Sequence, residues 1–196
     1  MERIKLEIKR QPIHILSGLL IIALLYYDLL SPLILSALVI ISVIASILIK
    51  KTRPKVIYRL LQFVEREENL EHIPGKGLIA YLAGVLVVVT LFDKDIALAS
   101  IMILALGDSI SRLVGPFGRI RHPFNNAKFI EGVIAGMIAA SLGSMLFVKP
   151  YEAIAASFFA MLIEGIDLKV SRFKVDDNIT IPIISAVVIW ILRILV

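Results

Sequence analysis

Four short stretches carry the residues that could do chemistry, each at the edge of an apolar run. Gly107-Asp108 closes one run, with Arg112 one helical turn beyond the acid. Lys128 and Glu131 open the next, followed by Gly132 and Gly136. Glu164 ends a further run just before Gly165, and Asp176-Asp177-Asn178 opens the last. An ionisable group at the edge of a membrane helix is expensive to keep, so its default reading is function. Carboxylates bind hard divalent cations, and Mg²⁺ typically bridges one or two of them to substrate phosphates. A lysine beside a helix amino terminus is a natural cradle for such a phosphate. The inventory suits a site for a metal-bound phosphate.

Each stretch also has a structural alternative. Asp108 and Arg112 could form an intrahelical ion pair that lowers the cost of two charges near the bilayer. Gly115-Pro116-Phe117-Gly118-Arg119 lets backbone approach a ligand and follows it with a cation, or it is simply a turn. It lacks the order of a P-loop. Arg119, Arg121 and His122 serve equally well as topology determinants. Gly132 and Gly136 form a small-xxx-small face for close helix packing. One acid at 176–177 caps the last helix, and the second, with Asn178, remains for a metal or for general-base work. His14, beside Ser17-Gly18 at the entrance to the first run, ranks below the acids. No Ser-His-Asp, His-Glu-x-x-His or soluble-kinase motif set is present.

These residues must be positioned by membrane helices. Hydrophobic residues make up 59% of the 196, charged residues 19%, which excludes an ordinary soluble domain. The net charge of +5 comes without a nucleic-acid-binding motif, and positive-inside loops explain it. Without cysteine there is no disulfide framework, zinc-thiolate site or thiol nucleophile. Seven apolar runs are each near the length of a span: Ile13–Leu30, Pro32–Ile49, Gly77–Phe92, Ile96–Leu106, Phe129–Val148, Tyr151–Ile166 and Ile179–Val196. The fourth is short and must extend through Ser111 or tilt. The first, although preceded by basic residues, is too long for a signal peptide and is read as a retained span. The expectation is a single all-α domain over residues 1–196, a polytopic membrane helical bundle of about seven transmembrane helices. Between the second and third runs, Pro54–His72 has apolar residues at helical spacing and reads as a basic amphipathic helix at the interface, or as a solvated connector.

Orientation follows from the loops. Of the 21 basic residues, all but Lys94, Lys149 and Arg193 fall on one side of a seven-span layout. The expectation is a cytoplasmic amino terminus. Asp108, Arg112, Lys128, Glu131, Glu164 and the 176–178 stretch then meet at one membrane depth, on the cytoplasmic side.

Taken together, Arg10-Gln-Pro-Ile-His14, Pro74-Gly-Lys-Gly77, Gly107-Asp-Ser-Ile-Ser-Arg-Leu-Val-Gly115, Lys128-Phe-Ile-Glu-Gly132 and Asp176-Asp-Asn-Ile-Thr-Ile-Pro182 resemble a known family. It is that of the integral-membrane, CTP-dependent lipid kinases: polyprenol (dolichol) kinase, phytol kinase and the CTP-using diacylglycerol kinase. Gln11 stands where the family often has lysine, and Phe129 where it often has a hydroxyl residue. The resemblance implies transfer of the γ-phosphate of CTP to the hydroxyl of a long-chain isoprenoid alcohol of the polyprenol type. It implies Mg²⁺ held by Asp108, Asp177 and Glu131, with Asp176 or Glu164 as base. It also implies a nucleotide bound by Arg10, His14, Lys76, Arg112, Gly115, Gly118, Arg119, Lys128 and Asn178. Two other classes share these residue types. A membrane cytidylyltransferase would make a CDP-lipid, but its Lys-Asp and His-Gly-Gly run is not found. A small ion-coupled lipid or solute transporter would bind a coupling ion at the acids.

Overall fold

The computed structural model describes residues 2–65, 67–166, 169–170 and 173–195. It is mostly helical. In chain order come α1 (Glu2–Tyr26), α2 (Pro32–Thr52), α3 (Lys55–Val64), α4 (Glu67–His72) and α5 (Lys76–Leu91). Next, α6 (Lys94–Ile103) runs without a break through a π-helical turn (Leu104–Asp108) into α7 (Ser109–Val114). Then follow a 3-10 turn (Gly115–Phe117), the hairpin β1 (Arg121–His122) and β2 (Asn125–Phe129), α8 (Ile130–Ser144) and α9 (Pro150–Ile166). A second hairpin, β3 (Lys169–Val170) and β4 (Phe173–Lys174), leads into α10 (Asp177–Leu195).

All seven apolar runs contain a helix, and the short fourth run does continue through Ser111. Four segments are long and apolar enough to cross a membrane: 7–26, 32–52, 94–117 and 177–195. α5 and α8, of 16 and 15 residues, are shorter apolar helices. The two small hairpins depart from the all-α expectation. They arise where the chain turns between helices and must pair its backbone groups locally.

The layering follows from which faces are apolar. α6 is buried on every side, from Ile96 to Ile103, so it forms the centre of the bundle. α5, α8 and α10 pack around it. Outward faces carry Leu33, Ile41, Leu142, Phe158 and Ile194, all exposed. Apolar surface of that extent, on helices with apolar interiors, needs a lipid solvent. The chain is a membrane protein.

Local signals set several helix ends. Ser31 caps α2, accepting the Ile34 N–H at 3.3 Å, with Pro32 at the first helical position. The expected amphipathic helix over Pro54–His72 is broken in two at Glu65. There the backbone is extended, and the buried carboxylate takes the N–H of Gly75 at 2.6 Å. The carboxylate there satisfies backbone N–H groups at the amino terminus of α5 that have no partner within the helix. The outer face of α3 leaves Val56, Ile57 and Leu60 exposed, as an interfacial helix requires.

At the end of the bundle away from the chemical residues, Arg193 of α10 bonds Glu152 of α9 at 2.9 Å and Asp95 of α6 at 2.7 Å. Lys94 meets Asp28 at 2.6 Å. The three basic residues left over by the charge count thus include two that staple the far ends of the helices together.

Candidate active site

At the opposite end, the π-helical turn delivers Asp108 into the protein interior, where its side chain is buried. Such a turn widens the helix by one residue and often marks a functional position. α8 can come close behind it because it presents glycine. A Cβ on Gly136 would lie 2.5 Å from the Gly107 carbonyl oxygen, and one on Gly132 would lie 2.7 Å from that of Ser111. Backbone therefore touches backbone, as the small-xxx-small spacing suggested.

Three carboxylates from distant parts of the chain meet here. Asp108, Glu164 at the end of α9 and Asp177 at the start of α10 each offer an oxygen, all within 4.8 Å of one another. Among the described residues, Arg112 and Lys128 hold them. Arg112 donates from Nε to Asp108 at 2.8 Å and from a terminal nitrogen to Asp177 at 3.0 Å. Lys128, at the end of β2, donates to Glu164 Oε1 at 2.6 Å and to the Glu164 carbonyl oxygen, with Asp177 at 3.9 Å. The pair is the intrahelical ion pair of the structural reading, and through Arg112 it also reaches a third residue, Asp177.

The donor set suits a hard divalent cation. All three ligands are carboxylates, the oxygen donors a hard divalent ion takes. Among the described residues nothing hydrogen-bonds the buried Glu164 Oε2, and an unpaired buried acceptor costs free energy. Asp108, Asp177 and Glu164 would hold the ion. Bound there, Mg²⁺ would supply positive charge for phosphate oxygens.

Beside the cluster lies a cavity of about 540 Å³, between α1, α3, α4, α5, α7 and the start of α10. Its polar lining includes Arg10, His14, Lys76, Arg112, Asp176 and Asn178. His14 Nε2 stands 3.7 Å from Asp108 Oδ2. Asp176 proves to be the capping acid: its side chain takes the Asn178 N–H at 3.1 Å and its carbonyl that of Ile179 at 2.9 Å. Asp177 is left for the cluster. Asn178 donates to the Gly77 carbonyl at 3.3 Å, joining α10 to the first turn of α5.

Other expected site residues lie apart. Glu131 is not brought to the three acids. Its carboxylate accepts the N–H of Arg119 at 2.7 Å and of Ile120 at 3.1 Å, closing the loop after the 3-10 turn. The reason is geometric: the first turn of α8 faces that loop, and a Cβ on Gly118 would lie 2.7 Å from Glu131 Oε2. Gly115 is buried against Gly132, and Arg119 is exposed on the loop. Gln11 is buried and donates to Glu7 at 2.6 Å. Among the described residues, Glu65 and Tyr81 line the cavity without having been singled out from the sequence. A glutamate in an amphipathic helix and a tyrosine in an apolar run carry no motif. The only available signal was a polar group in an otherwise apolar span.

Comparison with known proteins adds a family. The chain is 30% identical over 187 residues to an uncharacterized protein of Methanocaldococcus jannaschii, covering 93% of this chain and 92% of that one. It is 29% identical over 138 residues to the CTP-dependent diacylglycerol kinase 1 of Eremothecium gossypii, covering 57% of this chain and 42% of the kinase. It is 26% identical over 151 residues to a probable chloroplastic phytol kinase of Triticum aestivum, covering 68% and 49%. The chain thus spans less than half the length of either kinase. No protein-family model and no solved structure matches it.

Proposed function

Because the chain belongs to the family of CTP-using lipid kinases, we propose that it transfers the γ-phosphate of CTP to the hydroxyl of a long isoprenoid alcohol of the polyprenol or dolichol type. The products are a polyprenyl phosphate and CDP. One observation carries the reading: three buried carboxylates within reach of one ion, bridged by Arg112 and Lys128, at the wall of a cavity. Phosphoryl transfer asks chiefly for in-line positioning and for neutralised charge, which is what such a cluster offers.

Each residue has a distinct task. Asp108 and Asp177, with Glu164 behind them, hold the divalent ion. Lys76, Arg112 and Lys128 take the phosphates, as cations at the cavity or in the cluster. Asp176 lines the cavity and accepts the proton of the alcohol as its oxygen attacks the γ-phosphorus and the bond to the CDP oxygen breaks. Glu131 and Arg119 shape the loop over the site. The preference for an isoprenoid acceptor is supported by the motif resemblance and by the phytol kinase among the relatives.

The seven helices form one membrane domain over residues 1–196, with a cytoplasmic amino terminus and a site open to cytoplasmic CTP. The distribution of lysine and arginine supports this orientation. Purified protein in bilayer discs, given each labelled nucleoside triphosphate with Mg²⁺, would be tested against polyprenol, geranylgeraniol, phytol and diacylglycerol. CDP and a lipid monophosphate are expected, with polyprenol the best acceptor. Pyrophosphate released from a lipid phosphate would instead identify a cytidylyltransferase. Ion-driven flux without nucleotide turnover would identify a transporter.

A further inference from the structure

The cavity beside the acid cluster has a second wall that the nucleotide chemistry does not use. On α1, Ile13 and Ser17 sit one turn apart and both line it. Leu78 and Tyr81 face them from α5, and Leu61 of α3 lies above. Ile13 and Leu78 are also 48% and 58% exposed, so the cavity reaches the outer surface between these helices. In a membrane protein that surface meets acyl chains, not water.

The packing leaves this gap open. α1 rests on α6 and α7, whereas α5 rests on α2 and α10. The two helices meet through His14 and Tyr81, edge to face with ring centres 4.9 Å apart. Tyr81 lies against α1 at Gly18, where an added Cβ would come within 2.9 Å of the hydroxyl. The gap therefore has a floor at Tyr81 and a roof at α3.

At its inner end, two polar atoms stand without a hydrogen-bond partner among the described residues. Tyr81 Oη and His14 Nε2 are buried and make no hydrogen bond. The 3.7 Å between His14 Nε2 and Asp108 Oδ2 is too long for a direct bond. A hydroxyl oxygen in the cavity, which His14, Asp108 and Asp176 all line, could pair with Nε2 there. A hydroxyl both donates and accepts, so it satisfies a carboxylate and a ring nitrogen together.

We propose that the gap between α1 and α5 is the side entrance for the acceptor: a lipid with one free hydroxyl on an apolar tail. The tail leaves to the bilayer past Ile13, Ser17 and Leu78, beneath α3, and the hydroxyl sits against His14, where the carboxylate of Asp176 takes its proton. This rests on the lipid-kinase reading, and it assigns to that reaction an acceptor path and a seat. The exposed apolar face of α3 keeps the roof at the membrane surface, continuous with the acyl region.

Two photoactivatable probes, an isoprenoid alcohol and a diacylglycerol each carrying a diazirine in the tail, would be irradiated with the full chain in phospholipid discs. Label is expected on residues 13–17 and 61–78, removed by excess unlabelled alcohol and not by added phospholipid. Leu78→Trp should raise the KM for the alcohol about tenfold and change that for CTP less than about twofold. Competable label confined to the outer faces of α8 and α9 would overturn the entrance, as would label removed by CTP and not by alcohol. Leu78→Trp acting on CTP alone would overturn it too. Label position is read without turnover, so the two ideas separate. Label in the gap with no phosphorylated product would retain the lipid slot and sink the kinase. Product with competable label elsewhere would do the reverse.

Discussion

The ammonium of Lys128 lies 2.6 Å from the carboxylate of Glu164, across 36 residues of chain. One residue lies near the end of β2 and the other near the end of α9. Their meeting joins β2 to the acid cluster, and Lys128 also stands 3.9 Å from Asp177. The contact explains why a glutamate at the foot of an apolar helix is tolerated, and it leaves the second oxygen of Glu164 free for an ion.

Glu164→Gln is therefore expected to weaken divalent-ion binding more than it weakens the fold. The swap keeps the shape and one acceptor for Lys128 while removing charge. Mn²⁺ binding followed by electron paramagnetic resonance should weaken by about tenfold or more. An unchanged Mn²⁺ affinity would take Glu164 out of the site.

Asp108→Asn should lower turnover by two to three orders of magnitude or so and leave the protein folded. Arg112 still has Asp177 at 3.0 Å, so the cation is not left unpaired. The double variant Asp108→Asn with Arg112→Gln should stay inactive. Near-normal turnover in the double variant would show that Asp108 only balances Arg112.

Glu131→Gln gives a contrasting expectation. Glu131 Oε1 takes both loop N–H groups, and an amide oxygen can do the same. Activity should fall at least about tenfold less than in Asp108→Asn, with Mn²⁺ affinity unaltered. Equal loss of Mn²⁺ binding in both variants would restore Glu131 as a ligand.

At the far end, Glu152→Gln should cost stability without touching chemistry. Glu152 is fully buried and holds Arg193 at 2.9 Å and the Lys149 N–H at 2.9 Å. A loss of about 1–3 kcal/mol is expected, read as a lower melting temperature in detergent. The specific activity of the folded fraction should match the parent. A selective loss of activity at unchanged melting temperature would contradict this division of the molecule.

Topology is testable at Asn126, exposed at the hairpin. A cysteine there should react with an impermeant maleimide only from the cytoplasm, and one at Lys94 only from outside. Labelling of Asn126→Cys from outside would invert the proposed orientation.

Much of this was legible in the residues alone. Apolar run length and the placement of loop charges led to the helices, and alternation put Asp108, Lys128, Glu164 and Asp177 at one depth. Those signals are local, since a run of apolar side chains needs only its own composition to be expelled from water. The glycine spacing at Gly132 and Gly136 likewise foretold a close helix contact. Tertiary structure alone decided how the polar groups were shared. Asp176 caps and Asp177 joins the cluster because the hydrogen-bond geometry of the first turn of α10 gives the two acids different directions. Glu131 serves the loop, and Glu65 breaks an otherwise periodic helix to hold Gly75. Each choice depends on the rotation of a helix about its axis and on distances to neighbours far away in sequence. Periodicity fixes which residues share a face, but only packing fixes what that face meets.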